Sequence, residues 1–393
     1  MMTPHTHAHT RTRTSAFTLV ELMVALTAGA LVIASAFVVG AGSSRDFGDQ
    51  NRIAQTQMSL RAGIEQLRVD IARAGFLASA NTRRMPGVCI VPSRHVQAVE
   101  FANDVATAIP NASENGVSGD RLRLVGNFAT ADSYYATGIN STGDQITLQR
   151  SWQGFRRSFF SKTNSMYDPT AFSAVFRPGR MLHISTAQGT HLFVQITDAN
   201  PATASINFTP SLPPGGACVG GLADGAMVSP LVRIEYLITD LGGSFKPLNS
   251  TVVGTPTQLV RREILFDAAG TPVLGTERAI AEFAVDFNLN FILDDELVIN
   301  EPPVLNRYTG TAAANLMADV NTNPAAAPHR IRSILYSVSV RTPEQDGRFK
   351  FVTRQTGAPL TRYRADPQLP GSARVRTVVG EVFLANVAGQ LVR

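Results

Sequence analysis

One acidic residue, Glu21, stands at the head of an apolar run in which no further charge occurs from Leu22 to Ser44. A carboxylate placed deep in a membrane costs about 2.5 to 3.5 kcal/mol on insertion scales, so such a residue is a functional candidate that needs a cationic partner. Cys89 and Cys218 are the only cysteines. Bonded in an oxidising compartment, they would close a loop of about 130 residues and contribute up to roughly 5 kcal/mol by chain entropy. Spacing alone does not bring them within bonding distance, so two unpaired thiols stay as the alternative. A third group, Trp152, Phe155, Arg156, Arg157, Phe159, Phe160 and Lys162, interleaves rings with cations. That mixture stacks bases and pairs phosphates, making Trp152, Arg156 and Arg157 candidates for DNA or partner contact. A packed strand and loop would use the same residues.

Chemistry beyond these groups is not encoded. There is no nucleophile elbow, zinc-protease helix or phosphate-cradling loop. Asp319, Asn321 and Asn323 imitate the start of a calcium loop, but its sixth position is Pro324 and its twelfth is Arg330, where the geometry needs Gly and Glu. Asp294, Asp295 and Glu296 read as a solvated acidic turn. His95, His183, His191 and His329 are scattered along the chain and read as surface or packed residues. No catalytic residue, metal or cofactor is expected, and the chain reads as a non-enzyme.

At 393 residues, 44% hydrophobic and only 17% charged, the chain is too apolar to be disordered and long enough for two or three cores. Residues 1–16 hold Arg11, Arg13 and no acid. Without those two arginines the formal +5 falls to +3, a weak field for bulk polyanion binding.

The run from Leu22 to Gly42 is about 21 residues and covers roughly 31 Å as a helix, the thickness of a bilayer core. It is longer than the apolar stretch of a secretory signal. Arg11 and Arg13 precede it, and mixed charges follow at Arg45, Asp46 and Asp49, so the N-terminus stays cytoplasmic and the remainder lies outside. Past it, Ile53, Leu60, Ile64, Leu67 and Ile71 mark one face of an amphipathic helix. A single spine of roughly 58 residues from Phe17 to Ala74 is expected, with a bend or melted turn near Gly40, Gly42 and Gly48.

Ser15 to Leu26, SAFTLVELMVAL, resembles the processing site of type IV prepilins and type II secretion pseudopilins. The resemblance implies that prepilin peptidase cuts between Ala16 and Phe17 and N-methylates Phe17, making Glu21 the fifth mature residue. The new ammonium then supplies the missing partner for Glu21 during assembly. Where the family has Gly before the cut, this chain has Ala16, another small side chain. Leu67 to Phe76, LRVDIARAGF, resembles the end of the spine in PilW-type minor pilins. GDRLRLVG, SILYSVSVRT and VVGEVFLANV are weaker echoes, the last with Ala385-Asn386 where Arg-Asn is usual.

Beyond residue 85 the period shortens. Residues 121–125, 146–150, 191–197, 231–238, 283–291 and 333–342 read as strands, with a final strand near 378–387. Two long separators, 209–225 and the Ala/Asn/Pro-rich 300–328, interrupt them, and low order is expected in the second.

The expected fold is therefore α+β: a long N-terminal α-helical spine, transmembrane in its first half, followed by a mainly antiparallel β globular head. The expected parts are a leader at 1–16, an assembly half of the spine at 17–44, an amphipathic half at 45–76 and a periplasmic head at 77–393 with room for two subdomains. The resemblance implies a minor pilin that primes or caps a type IV pilus. Its partners would be prepilin peptidase, other minor pilins, the major pilin and the inner-membrane assembly platform. It would begin as a single-pass inner-membrane protein and move to the pilus, at its tip. The alternatives are a J-class minor pseudopilin of type II secretion and a pilus-borne adhesin or DNA-binding module.

Overall fold

The computed structural model describes residues 18–90, 94–106, 108–163, 165–212, 225–240, 256–296, 302–355 and 358–388, without the side chains of Ile90 and of several residues between 41 and 59. Helix α1 runs from Leu19 to Arg73, 55 residues. It stays helical through Gly40, Gly42 and Gly48, so the expected melted turn is not there. Once a helix is nucleated, each glycine costs only its propensity, about 1 kcal/mol, and the flanking turns carry it. The chain divides into two compact units, Met1–Gln55 and Thr56–Arg393. In the first, Leu19–Gly40 is long and apolar enough to cross a membrane. Its Thr27 and Ser35 hydroxyls donate to the carbonyls of Met23, Val24 and Val32 at 2.8 to 3.0 Å, so neither needs water.

The second unit begins with the last turns of α1 and has sixteen strands among the described residues. In chain order they are β1 (Val88–Ile90), β2 (Val99–Ala102), β3 (Arg121–Gly126), β4 (Tyr134–Ile139), β5 (Gln145–Leu148), β6 (Met181–Thr186), β7 (His191–Asn200) and β8 (Ser205–Thr209). There follow β9 (Ala226–Thr239), β10 (Gln258–Ile264), β11 (Arg278–Glu282), β12 (Ala284–Asp294), β13 (Leu305–Thr309), β14 (Ile331–Arg341), β15 (Arg362–Tyr363) and β16 (Ala373–Phe383). Short helices intervene: α2 (Ala112–Asn115), α3 (Gln153–Phe159), α4 (Pro169–Val175), α5 (Gly310–Leu316) and α6 (Ala385–Ala388). The named strand pairs are antiparallel, except that β1 runs parallel to β7.

The long strand β9 organises the larger sheet. Its first half pairs with β4 and β6, and its second half pairs with β3 and β10. From β4 the pairing continues to β5, β8, β7 and β6, and so returns to β9. Six strands thus form a closed ring. Closure removes open edges along that circuit. Its interior is filled by Tyr134, Leu182, Ile184, Val194, Ile206 and Val228, together with Phe155 and Phe159 of α3 and Phe172 of α4. The aromatic rings meet at centroid separations of 4.8 to 6.0 Å, in the edge-on and offset range that ring quadrupoles favour.

A five-stranded sheet, in the order β13-β12-β14-β16-β15, forms the second layer. Its inward residues Phe287, Leu289, Phe291, Ile334, Val338 and Val340 share one core with Leu122, Ile234 and Leu259 of the larger sheet. Leu60, Ile64, Leu67 and Ile71 of α1 lie in that same core, all less than 5% exposed. The expected Ile53 is outside the described side chains. At Gly380 on β16 the ring of its cross-strand partner Tyr336 covers the missing side chain, a rescue of a weak strand residue.

The separator at 300–328 departs from expectation. From Val304 onward it holds β13, α5 and a turn pinned by Asp319 and Asn321, because Gln97 binds both ends of the turn. Its amide donates to the Ala318 carbonyl at 3.1 Å and its oxygen accepts the Val320 N–H at 2.6 Å. Most of the other separator, 213–224, lies outside the described residues.

Asp120 clamps the two sheets. Its N–H donates to the Phe287 carbonyl at 2.8 Å, and its carboxylate accepts the N–H groups of Leu289 at 2.7 Å and Asp104 at 3.1 Å. Burial pushes its carboxyl from 3.8 up to about 7, and burial likewise pushes Asp286 up to about 6. A carboxyl raised in the folded state binds its proton more tightly there than when unfolded. The stability it contributes is therefore present below pH 3.8 and lost as pH rises towards 7. Unfolding of the full chain by urea should show stability falling by up to about 1.4 kcal/mol per pH unit across that window from Asp120 alone. Asp120→Asn should flatten the dependence, which a series of urea melts from pH 4 to 8 would measure.

Candidate processing and assembly site

Glu21 lies in the first turn of α1 and forms a reciprocal cap with Thr18. Its Oε2 accepts the Thr18 N–H at 3.1 Å and the Thr18 hydroxyl at 3.0 Å, while Thr18 Oγ1 accepts the Glu21 N–H at 3.2 Å. This is the Thr-x-x-Glu capping box, which satisfies orphan donors at a helix start and sets a negative charge at the positive end of the helix dipole. The pattern is legible as Thr18-Leu-Val-Glu21, but the sequence reading used Glu21 only as a charge. Ala16 and Phe17 lie outside the described residues. Behind the cap, the side chains of Leu19, Val20, Leu22, Met23, Val24 and Leu26 are all more than half exposed. In a polar solvent that surface would be unfavourable, and it suits lipid or a neighbouring helix.

At the other end α1 is locked into the head by polar contacts. Asp70 is 2% exposed. Its Oδ2 accepts from the Tyr236 hydroxyl at 2.7 Å and from Arg261 Nε at 2.5 Å, and its Oδ1 accepts from Gln66 at 3.0 Å. Burial, and then the neighbouring carboxylate, push the Tyr236 hydroxyl well above its usual range, so it stays a donor. Arg73 Nη2 donates to the Asn127 carbonyl at 2.6 Å and the Thr130 carbonyl at 2.7 Å. Gly75, with φ of 76°, follows the last turn as a left-handed stop, and Asn386 donates to the Ala72 carbonyl at 2.9 Å. Gly63 gives the closest approach: a Cβ there would sit 1.8 Å from the Ile280 carbonyl oxygen.

None of Asp70, Tyr236, Arg261 or Gly63 was singled out from sequence. A signal existed for Asp70, which sits three residues after Leu67 and beside Ile71, in the apolar register. A charge on a buried stripe implies a buried partner.

The remaining predicted residues fall elsewhere. Trp152 precedes α3, stacks on Tyr135 at 5.5 Å and donates to the Ser133 carbonyl at 3.2 Å. Phe155 and Phe159 are fully buried and do not offer a face to a base. Arg157 is paired with Asp132, whose carboxyl is held low by that hydrogen bond, and Arg156 lies 5.9 Å over the Phe160 ring. Cys89 is engaged in a disulfide; Cys218 lies outside the described residues. The acidic turn is capped by arginines rather than simply solvated, with Arg332 on Asp294 at 2.9 Å and Arg330 on Asp295 at 2.5 Å. His183 and His191 are not scattered but adjacent, with ring nitrogens 3.0 Å apart. His183 also meets the Leu77 carbonyl at 2.8 Å, and burial pushes it down to about 4, so the pair is a neutral packed contact at pH 7. Among the described residues no three His, Cys, Asp or Glu side chains gather as a metal would require.

Residues 11–37 match the prokaryotic N-terminal methylation motif. Comparison with curated proteins and with solved structures gives no match. The motif, on a helix of membrane-spanning length, supports a type IV pilin-like or pseudopilin-like protein with an N-terminal anchor. Proteins of this motif family are typically structural. They associate with prepilin peptidase and pilus components.

The Asp70 joint predicts its own test. Asp70→Ala strands Arg261 in a buried site and should cost about 3 to 5 kcal/mol, whereas Asp70→Asn keeps an acceptor for Tyr236 and should cost less. Gly63→Ala should cost about 1 to 3 kcal/mol by overpacking, despite the better helix propensity of Ala. Chemical denaturation followed by circular dichroism would rank the three.

Proposed function

We propose that the chain is a minor pilin of the PilW kind, which primes or caps a type IV pilus and has no catalytic activity of its own. The observation that carries this reading is the methylation motif at 11–37, placed on an apolar helix that continues without a break into the core of a large β head. Prepilin peptidase would remove residues 1–16 at the cytoplasmic face and methylate Phe17. The cut puts a new ammonium on the residue beside Thr18, next to the cap that gathers the Glu21 carboxylate. In a low-dielectric setting that ammonium, in the same chain or a neighbouring subunit, neutralises Glu21. The spine then slides from membrane to filament by apolar packing against other spines, because both surroundings accept the same side chains. The head would lie in the periplasm before export. Its size suits a position used once, at a tip, better than one repeated along a filament. Cys89 and Cys218 would be bonded to each other in that oxidising space.

The same motif also serves J-class minor pseudopilins of type II secretion, and the two machines give opposite deletion phenotypes. Deletion should abolish surface pili and leave protein secretion intact; the reverse result would transfer the chain to the secretion machine. Mass spectrometry of the membrane-extracted protein should find a mature chain beginning at methylated Phe17. Glu21→Ala should still be cleaved but be missing from sheared filaments. Recovery of that variant in filaments at the wild-type level would remove the pairing role from Glu21.

A further inference from the structure

The five-stranded sheet ends on a strand that is only half used. β16 pairs with β14 from Val375 opposite Arg341 to Phe383 opposite Ser333, without a bulge. On its other side β15 reaches only Ala373 and Arg374. The hydrogen bonds fix which backbone groups point where. Val375 N–H donates to the Thr361 carbonyl at 3.0 Å, on the β15 side. The Arg374 carbonyl accepts from Thr342 N–H and Leu384 N–H donates to the Arg332 carbonyl, both at 2.9 Å on the β14 side. Because direction alternates along an antiparallel strand, the even residues of β16 spend their backbone on β14, and Thr377, Val379, Glu381 and Phe383 turn theirs outward. None of those outward groups is hydrogen-bonded among the described residues.

The side chains of the same four residues lie on the outer face of the sheet. Val379 is 73% exposed and Phe383 60%, and Thr377 and Glu381 are exposed beside them. The guards that normally blunt a sheet edge are missing. The stretch TVVGEVF holds no Pro, no Lys and no bulge, and its one charge, Glu381, accepts from the Ser333 hydroxyl at 2.5 Å. A segment of this length, rich in β-branched residues and nearly uncharged, is built to gain a further strand. The edge of the larger sheet at β11 is treated differently, since α1 packs at Gly63 against the Ile280 carbonyl there.

We propose that this edge pairs with the same edge of a second copy of the chain, antiparallel, about a two-fold axis at Gly380. The slot is bounded at both ends: Thr361 takes the Val375 N–H, and α6 begins at Ala385. It therefore accepts a strand no longer than residues 377–383, and β16 itself offers one of that length. The Gly380 axis sets Thr377 opposite Phe383 and Val379 opposite Glu381, so the free stretch is used from end to end and no like charges meet. An axis at Val379 would press Phe383 onto Val375, whose N–H is already spent, and an axis at Glu381 would oppose two carboxylates. In the Gly380 register Phe383 lies diagonal to the partner's Val379, so each copy covers the other's exposed apolar side chains. Four facing pairs exchange about eight main-chain bonds. The contact is small beside a standard interface of roughly 1,600 Å², so a dimer that dissociates in the micromolar range is expected. This pairing is a property of the head and does not rest on the filament reading above.

The test is sedimentation of the full chain in detergent micelles, with micelles in excess, from about 1 to 200 μM protein. The wild type should pass from monomer to dimer across that range. Val379→Glu sets a carboxylate opposite the partner's Glu381 and should raise the dissociation constant about tenfold, whereas Val379→Lys at the same exposed position should keep or lower it. Neither should move the melting temperature, which separates a lost contact from lost folding. Val379→Pro removes an outward N–H and no bond to β14, and should also weaken the dimer about tenfold. Chains carrying Val379→Cys and Glu381→Cys, mixed and oxidised, should join as a mixed disulfide, because facing residues of a hydrogen-bonded pair lie about 5.5 Å apart at Cα. Leu305→Glu, on β13 at the opposite edge of the same sheet, should change nothing. A wild type that stays monomeric throughout, or a dimer indifferent to Val379→Glu and Val379→Pro, would overturn the proposal. Equal weakening by Val379→Glu and Val379→Lys would overturn the Gly380 register, and loss of the dimer in Leu305→Glu alone would move the contact to β13.

Discussion

The carboxylate of Asp70 fixes what the head is built around. It sits on a helix face otherwise lined by Leu60, Ile64, Leu67 and Ile71, where a bare charge would be costly, and it is tolerated because Tyr236 and Arg261 reach it from adjacent strands of the larger sheet. That requirement selects one rotation and one height of the helix against β9 and β10. The apolar contacts alone would accept neighbouring registers at little cost. Gly63 sharpens the choice, since only a residue without a side chain lets the helix backbone lie against the Ile280 carbonyl. The five-stranded sheet then closes over the same core through Phe287, Phe291, Ile334 and Val338.

Much of this was legible locally. The uncharged run after Glu21 and the 3-4 spacing of leucines and isoleucines predict α1 nearly to the residue, because both follow from a single period. The strands at 121–126, 191–200, 284–294 and 331–341 are likewise visible as alternation. The ring of six strands was not visible. It depends on β9 sitting between β4 and β6, which are some ninety and forty residues earlier, and alternation carries no information about partners. The segment after Asn300 misled for a related reason. Its Ala, Asn and Pro content suggests a loose linker, yet Gln97 and Arg94, two hundred residues earlier, hold it in place.

Charge shows the same division between total and placement. A formal +5 spread over 393 residues is weak. In the fold, buried pairs around Glu100, Glu235 and Glu263 take Arg123, Arg180, Arg233 and Arg262 out of the surface field, while the stretch from Asp346 to Arg376 holds seven Lys and Arg against two Asp. The residues at 152–162 attract attention because their rings and cations are consecutive. Folding places Phe155 and Phe159 in the ring's interior and pairs Arg157 with Asp132. Lys350 and Arg362 line one groove although twelve residues separate them, so no short window of sequence displays them together.

Closure of the six-stranded ring also sets a schedule. Five of its members, β4 to β8, are synthesised before β9, and both β4 and β6 must wait for β9 to cover a side of each. As the polypeptide is extruded, those two flanks stand open and sticky until Leu231, the last β9 residue that pairs with them, has emerged. A nascent head is therefore most vulnerable to aggregation during the passage of its middle third. Any holdase it requires would act then, well before the C-terminal sheet exists.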